Sequence, residues 1–446
     1  MRDFRRVADA VAARIASGQL RAGDRLPTQR AFARRHGIAD STAGRVYAEL
    51  VRRGLVVGEV GRGTFVRAAP PAAGPALAEP ARQRVDLELN YPVAPGQSEL
   101  LAAGLARLAR PDVLAAALGP GGARGTGAAR EAVAALLARP GWQPAAADVL
   151  FAGSGRQVIA GALTALVPVG GRIGVEEFTY PVVKALAARL GRTVVPLACD
   201  AEGLRPDALV AAHREGPLHA VYAQPTLHNP LSLTMSDRRR SEVADALRRT
   251  GSVAVEDAIW SFLRPDAPPP LAAYAPERVV LTDSLSKRLA PGLTAGFAVV
   301  PAGCAERVAA ALRSGGWGVS GYALEALAGW VGDGTVSRLS AAKRAEAAVR
   351  QTLAAEVLHG FAVRADPYSC FCWWDLPEPW RADTFVAAAG RRGIAVTPAA
   401  SFAAGSRRAP DAVRIGLASP PRDVLRTALA TLADLARTLP EDSAPE

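Results

Sequence analysis

Residues 279–296 read VVLTDSLSKRLAPGLTAG, the segment that says most about the fold of the larger part of the chain. The run VVLT is typical of a buried strand, and a polar segment that contains Lys287 follows it directly. Only three of the 53 basic residues are lysines, so Lys287 stands out. Open α/β sheets bind ligands at the carboxyl ends of their strands, and the sequence places Lys287 at such an end.

Other strand-like runs also end in polar clusters. From residue 85 onward such runs alternate with helical stretches, which predicts an α/β domain with a largely parallel sheet. VLFA precedes the turn GSGRQ at residues 153–157, AVYA precedes QPTLHNP at residues 224–230, and VAV precedes Glu256 and Asp257. Because carboxyl ends of parallel strands meet at one edge, we expect these clusters to converge.

Each cluster has an ordinary structural explanation: Asp257 as a helix cap, Asn229 and Pro230 as a turn, and Lys287 as a surface lysine. Together, however, they fit pyridoxal 5′-phosphate (PLP). The lysine amine would form an imine, the carboxylate would keep the pyridine nitrogen protonated, and the amide would bind the ring hydroxyl. The Gly-Ser-Gly turn before a helix suits a phosphate.

Residues of about 85–437 resemble fold-type I aminotransferases, so the expected fold is an α/β PLP-dependent transferase domain. In SLSKRLAPG, the resemblance makes Lys287 the Schiff-base lysine. It implies that Asp257 and Asn229 contact the pyridine nitrogen and the ring hydroxyl, that Tyr180 in EEFTYP stacks on the ring, and that Arg414 in VRIGLA clamps an α-carboxylate. The implied phosphate cup comprises Ser154, Gly155, Arg156, Ser284 and Ser286.

This chain departs from the aminotransferase pattern at three places. Thr294 replaces the phosphate-binding arginine, and Ile259 and Trp260 stand where a tyrosine contacts the ring hydroxyl. The partner-subunit tyrosine that usually precedes a G-x-x-x-LRE segment is missing from the matching stretch LGPGGARGTGAARE at residues 118–131. Each lost charge-assisted hydrogen bond is worth about 1.5–3 kcal/mol. Arg288 or Arg156 is the candidate to compensate within the cofactor site.

The excess positive charge is concentrated before residue 68. Residues 1–67 contain 14 arginines against six acidic residues, a net charge of +8 out of +11 for the whole chain. A basic module on a nearly balanced body indicates a polyanion partner. Apolar residues at helical spacing predict a first helix over about residues 3–17, and the region 23–55 predicts a helix-turn-helix. Residues 55–57 and 64–66 predict a two-stranded wing.

The segments LPTQRAFARRHGI, STAGRVYAELVRRGLV and GRGTFV resemble the GntR-type winged helix, a mainly α DNA-binding domain. The resemblance implies that Ser41, Thr42 and Arg45 lead a recognition helix into the major groove. Residues expected at phosphates or minor-groove edges are Arg30, Arg34, Arg62 and Gly63. Asp40 departs from the family pattern; it either caps the helix, which we favour, or accepts a hydrogen bond from cytosine.

Composition divides the chain into a winged helix over residues 1–67, a Pro/Ala-rich linker over 68–84, the large domain over 85–437 and a tail over 438–446. Mean hydropathy is +0.11, and no apolar run is long enough for a membrane span, so a cytoplasmic location without membrane contact is expected. The cysteines Cys199, Cys304, Cys370 and Cys372 lack the spacing of a metal site, and no metal is expected.

A GntR-type winged helix joined to an aminotransferase-like domain resembles the MocR/GabR family of bacterial transcription regulators. The resemblance implies double-stranded operator DNA as a partner and a head-to-tail homodimer. It further implies that the large domain senses PLP or a small amino compound. Two alternatives stay open: a working aminotransferase with an appended DNA-binding module, and a regulator whose large domain no longer binds PLP. Whether the chain is an enzyme is left undecided.

Overall fold

The computed structural model describes residues 4–16, 19–21, 23–52, 55–59, 63–66, 84–119, 121–316, 318–405 and 409–439. The predicted linker therefore lies outside the described residues except for residue 84, and the predicted tail lies outside them except for residues 438 and 439. Within the described residues, no helix is both long enough and apolar enough to cross a membrane.

The N-terminal unit is a winged helix-turn-helix, as predicted. Its elements are α1 (Phe4–Ala16), β1 (Arg25–Leu26), α2 (Gln29–His36), α3 (Asp40–Arg52), β2 (Val56–Glu59) and β3 (Gly63–Val66), with strand order β1-β3-β2. Thr28 begins α2, since its hydroxyl accepts a hydrogen bond from Ala31 N at 3.3 Å. Gly37, with φ of 61°, ends the helix and makes the tight turn. Val46 and Leu50 of α3 are buried in the core of this unit.

The large domain begins with a short strand and three helices that pack beside the central sheet. They are β4 (Val85–Asp86), α4 (Gln97–Leu108), α5 (Pro111–Ala117) and α6 (Gly127–Leu137). The strands of the central region then follow in the order β5 (Val149–Ala152), β6 (Arg172–Glu176), β7 (Thr193–Leu197), β8 (Cys199–Asp200), β9 (Gly203–Leu204), β10 (Leu218–Ala223), β11 (Val253–Asp257), β12 (Val279–Ser284) and β13 (Gly296–Val299).

Seven of these strands form one sheet with the order β5-β13-β12-β11-β10-β6-β7. Strand β13 runs antiparallel to both neighbours, and the other pairings are parallel, so the largely parallel sheet was predicted correctly. Alternate residues of the strands enter two separate apolar clusters: Phe151 and Leu281 belong to one, and Leu150 and Val280 to the other. Such alternation shows that both faces of the sheet are covered.

Helices connect the strands and cover the sheet. They are α7 (Gly155–Leu166), α8 (Pro181–Arg189), α9 (Pro206–Glu215), α10 (Asp237–Thr250), α11 (Leu271–Tyr274), α12 (Leu285–Arg288), α13 (Ala302–Ser314) and α14 (Gly321–Gly332). Parallel strands require such crossovers, and because the parallel strands run in one direction, the turns that follow them lie at one edge of the sheet. The antiparallel strand β13 ends at the other edge.

The long helix α15 (Thr335–Val357) leads into a smaller α/β unit. Its other elements are β14 (Ala362–Arg364), β15 (Phe371–Asp375), α16 (Ala382–Arg391), β16 (Ile394–Ala395), β17 (Thr397–Pro398), β18 (Ala412–Gly416) and α17 (Arg422–Arg437). Strands β14, β15, β18 and β17 form a sheet in that order, and β16 pairs in parallel with β4. The segment after β4 contacts both parts: Leu87 exchanges backbone hydrogen bonds with Ala395 and Gly416 of the small unit, and the carbonyl oxygen of Asn90 accepts a hydrogen bond from Lys287, just after β12.

Candidate functional sites

One cavity of about 610 Å³ opens at the carboxyl ends of the parallel strands, between the large sheet and the small unit. It contains eleven of the twelve residues that the sequence predicts for the large domain. They are Ser154, Gly155, Arg156, Tyr180, Asn229, Asp257, Ser284, Ser286, Lys287, Thr294 and Arg414. The predicted clusters therefore do converge at one sheet edge, as a parallel topology requires.

Lys287 lies on the single turn α12, directly after β12. Its Nζ donates a hydrogen bond to the carbonyl oxygen of Asn90 and lies 4.1 Å from the ring centroid of Tyr91 and 5.3 Å from that of Trp260. Burial, helped by the positive charges of nearby arginines, lowers the pKa of Lys287 to about 7. A large fraction of this amine is therefore neutral near pH 7, the form that attacks carbonyl carbon.

Asp257 ends β11 and is held by three donors. The Tyr222 hydroxyl donates to Oδ2 at 2.6 Å, Gln224 Nε2 donates to the same oxygen at 3.0 Å, and Ile259 N donates to Oδ1 at 3.1 Å. Burial raises the pKa of Asp257 to about 6, and these hydrogen bonds oppose the increase. The carboxylate is thus buried without a cation within hydrogen-bond distance among the described residues, and a protonated ring nitrogen would supply one.

Arg414 projects from β18 into the cavity and is buried. Its Nη1 donates to Asn229 Oδ1 at 3.4 Å, and its Nη2 donates to Thr397 Oγ1 at 3.2 Å and to the carbonyl oxygen of Glu88. Nε has no hydrogen-bond partner within the described part of the chain. Burial lowers the pKa of Arg414 to about 10, which leaves it charged at neutral pH. A guanidinium with a free donor in a cavity suits a carboxylate.

The residues that the sequence predicts to bind a phosphate lie around the start of α7. Ser154 caps this helix, with its Oγ accepting from Gln157 N at 3.4 Å, and the hydroxyls of Ser284 and Ser286 are 2.7 Å apart. Gly296 allows this close arrangement, because a Cβ there would lie 2.2 Å from the Ser154 carbonyl carbon. The buried Oγ1 of Thr294 has no partner among the described residues. Hydroxyls and free backbone N–H groups at a helix start bind phosphate without a guanidinium.

Arg156 and Arg288 have different positions with respect to this cavity. Arg156 lies at its rim, where its Nε donates to the Tyr180 hydroxyl at 3.2 Å. Arg288 does not line the cavity: its Nη2 donates to the buried Asp283 at 2.7 Å, and its guanidinium lies 5.1 Å from the Phe262 ring centroid. Arg288 was predicted to belong to the cofactor site, but the structure does not bring it to this cavity, because the buried Asp283 binds its guanidinium.

The polar groups that line the cavity are those that PLP requires. The cavity is lined by residues with buried polar atoms that have no partner among the described residues, including Thr294 Oγ1 and Arg414 Nε. The buried carboxylate of Asp257 and the amine of Lys287, whose pKa is lowered, line the same cavity. A flat anionic ring compound with a basic nitrogen and an aldehyde would supply a partner for each of these four groups.

Sequence reasoning missed several residues that line or support the cavity. Tyr222 and Gln224 are the direct partners of Asp257, and Asn90 and Tyr91 contact Lys287. Tyr222 is buried within a strand of apolar residues, so nothing but its hydroxyl signals a role. Asn90 and Tyr91 precede the large sheet by some sixty residues, and only the tertiary fold brings them to it.

The winged helix displays most of its predicted DNA-binding residues on the surface. Arg30, Arg34, Ser41 and Arg45 are exposed, and Thr42 and Gly63 are half-buried. The Arg45 guanidinium carbon lies 4.2 Å from the ring centroid of Phe4, so α1 holds this side chain in the absence of DNA. Arg62 lies outside the described residues.

Asp40 is the first residue of α3, so its carboxylate belongs to the first helical turn. Its Oδ2 lies 4.0 Å from Arg30 Nε, and both side chains are exposed. A negative charge there favours the helix through its dipole.

Comparison with known proteins agrees with this two-part organisation. Residues 4–66 match the family of bacterial regulatory proteins, gntR family. The chain is 28% identical over 407 residues to the HTH-type transcriptional regulator YdeF of Bacillus subtilis. The aligned residues cover 91% of this chain and 88% of YdeF. It is 28% identical over 271 residues to the HTH-type pyridoxine biosynthesis transcriptional regulator PdxR of Corynebacterium glutamicum, with 59% of this chain and 57% of PdxR covered.

Among solved structures, an archaeal alanine:glyoxylate aminotransferase superposes with a TM-score of 0.71 at 19% identity, covering 80% of this chain and 91% of that one. At this identity the likeness establishes the fold of the large domain. The chain therefore has the MocR-type architecture, in which a GntR winged helix-turn-helix precedes a fold-type I aminotransferase-like domain.

Proposed function

We propose that the chain is a DNA-binding transcription regulator whose aminotransferase-like domain binds PLP through Lys287 and senses PLP or a small amino compound. The observation that supports this most is the convergence of Lys287, Asp257, Asn229 and Arg414 in one cavity of a chain that also carries a GntR winged helix. The names of relatives such as PdxR agree with a regulatory role.

In this proposal each residue of the cavity has a defined task. When bound, PLP supplies an aldehyde that condenses with a primary amine and a ring that withdraws electrons. Asp257 holds the proton on the ring nitrogen, and Asn229 donates to the ring hydroxyl. The start of α7, with Ser154, Ser284, Ser286 and Thr294, holds the phosphate. Arg414 holds the carboxylate of the amino compound.

The proposal is tested by absorbance of the protein purified with added PLP. Wild type should show a visible imine band that Lys287→Ala abolishes, while Lys184→Ala should retain it, because Lys184 binds the carbonyl oxygens of Ser401 and Ala403 outside the cavity. Absence of the band in wild type would instead favour a regulator that has lost PLP. Many turnovers with an amino donor and a keto acid would favour a working aminotransferase.

DNA binding is tested with duplexes selected from a randomised library by the full-length protein. Lys287→Ala should bind the selected duplex about as tightly as wild type without effector, because Lys287 lies in the large domain and the DNA-binding residues lie on the winged helix. Loss of DNA binding by a folded Lys287→Ala protein would contradict this separation of roles.

We further propose a head-to-tail homodimer. Exposed apolar side chains on and after α5 and at the start of α14 support self-association: Leu114, Leu118 and Tyr322 are 42%, 78% and 42% exposed. Leu118→Glu should shift the protein toward monomers in light scattering, and an unchanged dimer would show that the subunits associate elsewhere.

A further inference from the structure

Lys343 is a buried lysine that contacts the turn carrying Lys287. It lies on α15, is 1% exposed, and its Nζ donates to the carbonyl oxygens of Lys287, at 3.1 Å, and of Leu289. These carbonyls are at the carboxyl end of the single turn α12, where helical carbonyl groups lack partners. In the described part of the chain Lys343 has no carboxylate in ion-pair contact, so these carbonyls are what stabilise its charge.

The same helix contacts the segment after Arg414 with a second buried cation. Arg350 lies seven residues after Lys343, hence on the same face of α15. Its Nη1 donates to the carbonyl oxygens of Leu417, at 2.7 Å, and Pro420, at 2.6 Å. Both follow β18, the strand that carries Arg414. One helix therefore binds the backbone next to the proposed imine lysine and next to the proposed carboxylate clamp.

We propose that Lys343 is a positioning residue that fixes the turn of Lys287 onto α15 and so links the state of Lys287 to the position of Arg414. Helix α15 is hydrogen-bonded to the turn α12 and to the backbone after β18. A displacement of the turn can therefore move the strand that carries Arg414, because packed elements move as units. The role of Lys343 in holding the turn does not depend on PLP. Its role in linking the two residues rests on the proposed function.

Charges around both lysines set the direction of the expected pH effect. Cys370, Arg156, Arg414 and Lys343 face Lys287. Cys370 also faces Lys343, but burial raises the pKa of this thiol to about 12, so it is neutral near pH 7. Removing the positive charge of Lys343 should therefore favour a proton on Lys287 or on its imine.

The first test uses hydrogen exchange of the full-length protein without PLP. In Lys343→Met, the backbone amides of residues 285–290 should exchange about tenfold faster than in wild type, because the turn loses its attachment to α15. Lys184→Met is the matched control, since it also removes a lysine that binds two carbonyls but leaves α12 intact. Equal exchange of this turn in Lys343→Met and Lys184→Met would overturn the proposal.

The second test uses the imine band and butyrate, a carboxylate that lacks an amine. In wild type, butyrate at Arg414 should raise the pH midpoint of the imine. In Lys343→Met the midpoint without butyrate should be higher, and the shift caused by butyrate should be smaller by about half. Lys343→Gln also lacks the charge but keeps a neutral donor, so its midpoint without butyrate should match that of Lys343→Met, while its butyrate shift should lie between those of wild type and Lys343→Met. It also provides a folded variant if Lys343→Met does not fold.

The outcomes separate the positioning role from the proposed function. A missing imine band in wild type contradicts PLP binding, while the exchange experiment still decides whether Lys343 holds the turn. A normal band whose midpoint and butyrate response are the same in wild type and both Lys343 variants would refute the link between Lys287 and Arg414.

Discussion

At the residue level, the Tyr222 hydroxyl lowers the pKa of Asp257 through a direct hydrogen bond. Tyr222→Phe keeps the buried ring and removes the hydroxyl that donates to Asp257 at 2.6 Å. The carboxylate then becomes a weaker acid, because a hydrogen bond that lowers its pKa is lost. We expect the affinity for PLP to fall about tenfold, which corresponds to about 1.4 kcal/mol for a hydrogen bond to a charged group.

Equilibrium dialysis with PLP measures this change. Tyr274→Phe is the control, since Tyr274 also donates its hydroxyl to an aspartate, Asp237, but on the surface and outside the cavity. Equal affinities in wild type and Tyr222→Phe would show that Tyr222 does not adjust Asp257.

The lowered pKa of Lys287 predicts that the rate of imine formation with PLP depends on pH. Only the neutral amine attacks an aldehyde, and the pKa of Lys287 is lowered to about 7 by burial. The rate at which the imine band appears should therefore rise as the pH increases through about 7 and level off above it. Stopped-flow absorbance measures the rate, and a rate that rises only near pH 10 would show that the amine behaves as an exposed lysine.

Several of these residues could be predicted from sequence and others could not, for a physical reason. Asp257 ends β11, and Lys287 and Asn229 lie three and six residues after β12 and β10, so local pattern and the geometry of parallel sheets place them together. Arg288 was misassigned to the cavity because adjacent residues on a turn point in different directions, and a buried Asp283 holds its guanidinium. Asn90 and Lys343 reach Lys287 only through tertiary packing, which no local pattern reports.

At the element level, the winged helix positions its basic residues independently of the cavity. Arg34 is exposed on the last turn of α2, and nothing in its burial suggests a packing role. Arg34→Ala should weaken binding to the selected duplex about three- to tenfold and reduce the slope of log K against log salt by about 1, as expected for one lost phosphate contact.

Fluorescence anisotropy at several salt concentrations checks the role of Arg34. Arg437→Ala, an exposed arginine of α17, is the matched control and should leave both values unchanged. An unchanged salt slope in Arg34→Ala would place this residue away from the phosphates.

At the scale of the whole molecule, all three lysines are partly or fully buried, and this makes stability depend on pH. Burial lowers the pKa of Lys287 to about 7 and those of Lys184 and Lys343 to about 8. In the unfolded chain each lysine titrates near 10.4. Between these values the unfolded state binds more protons than the folded state, so the free energy of unfolding rises with pH over this window.

Lys287→Met measures how much Lys287 contributes to the pH dependence of the free energy of unfolding. Without PLP, the variant should be more stable than wild type at pH 6, by on the order of 2 kcal/mol, because it has no ammonium to bury. The difference should shrink as the pH rises from 7 and vanish only above the unfolded-state pKa of about 10.4, where Lys287 is neutral in both states. Urea unfolding across this range measures it. A difference that stays constant with pH would mean that lost packing, rather than a buried charge, separates the two proteins.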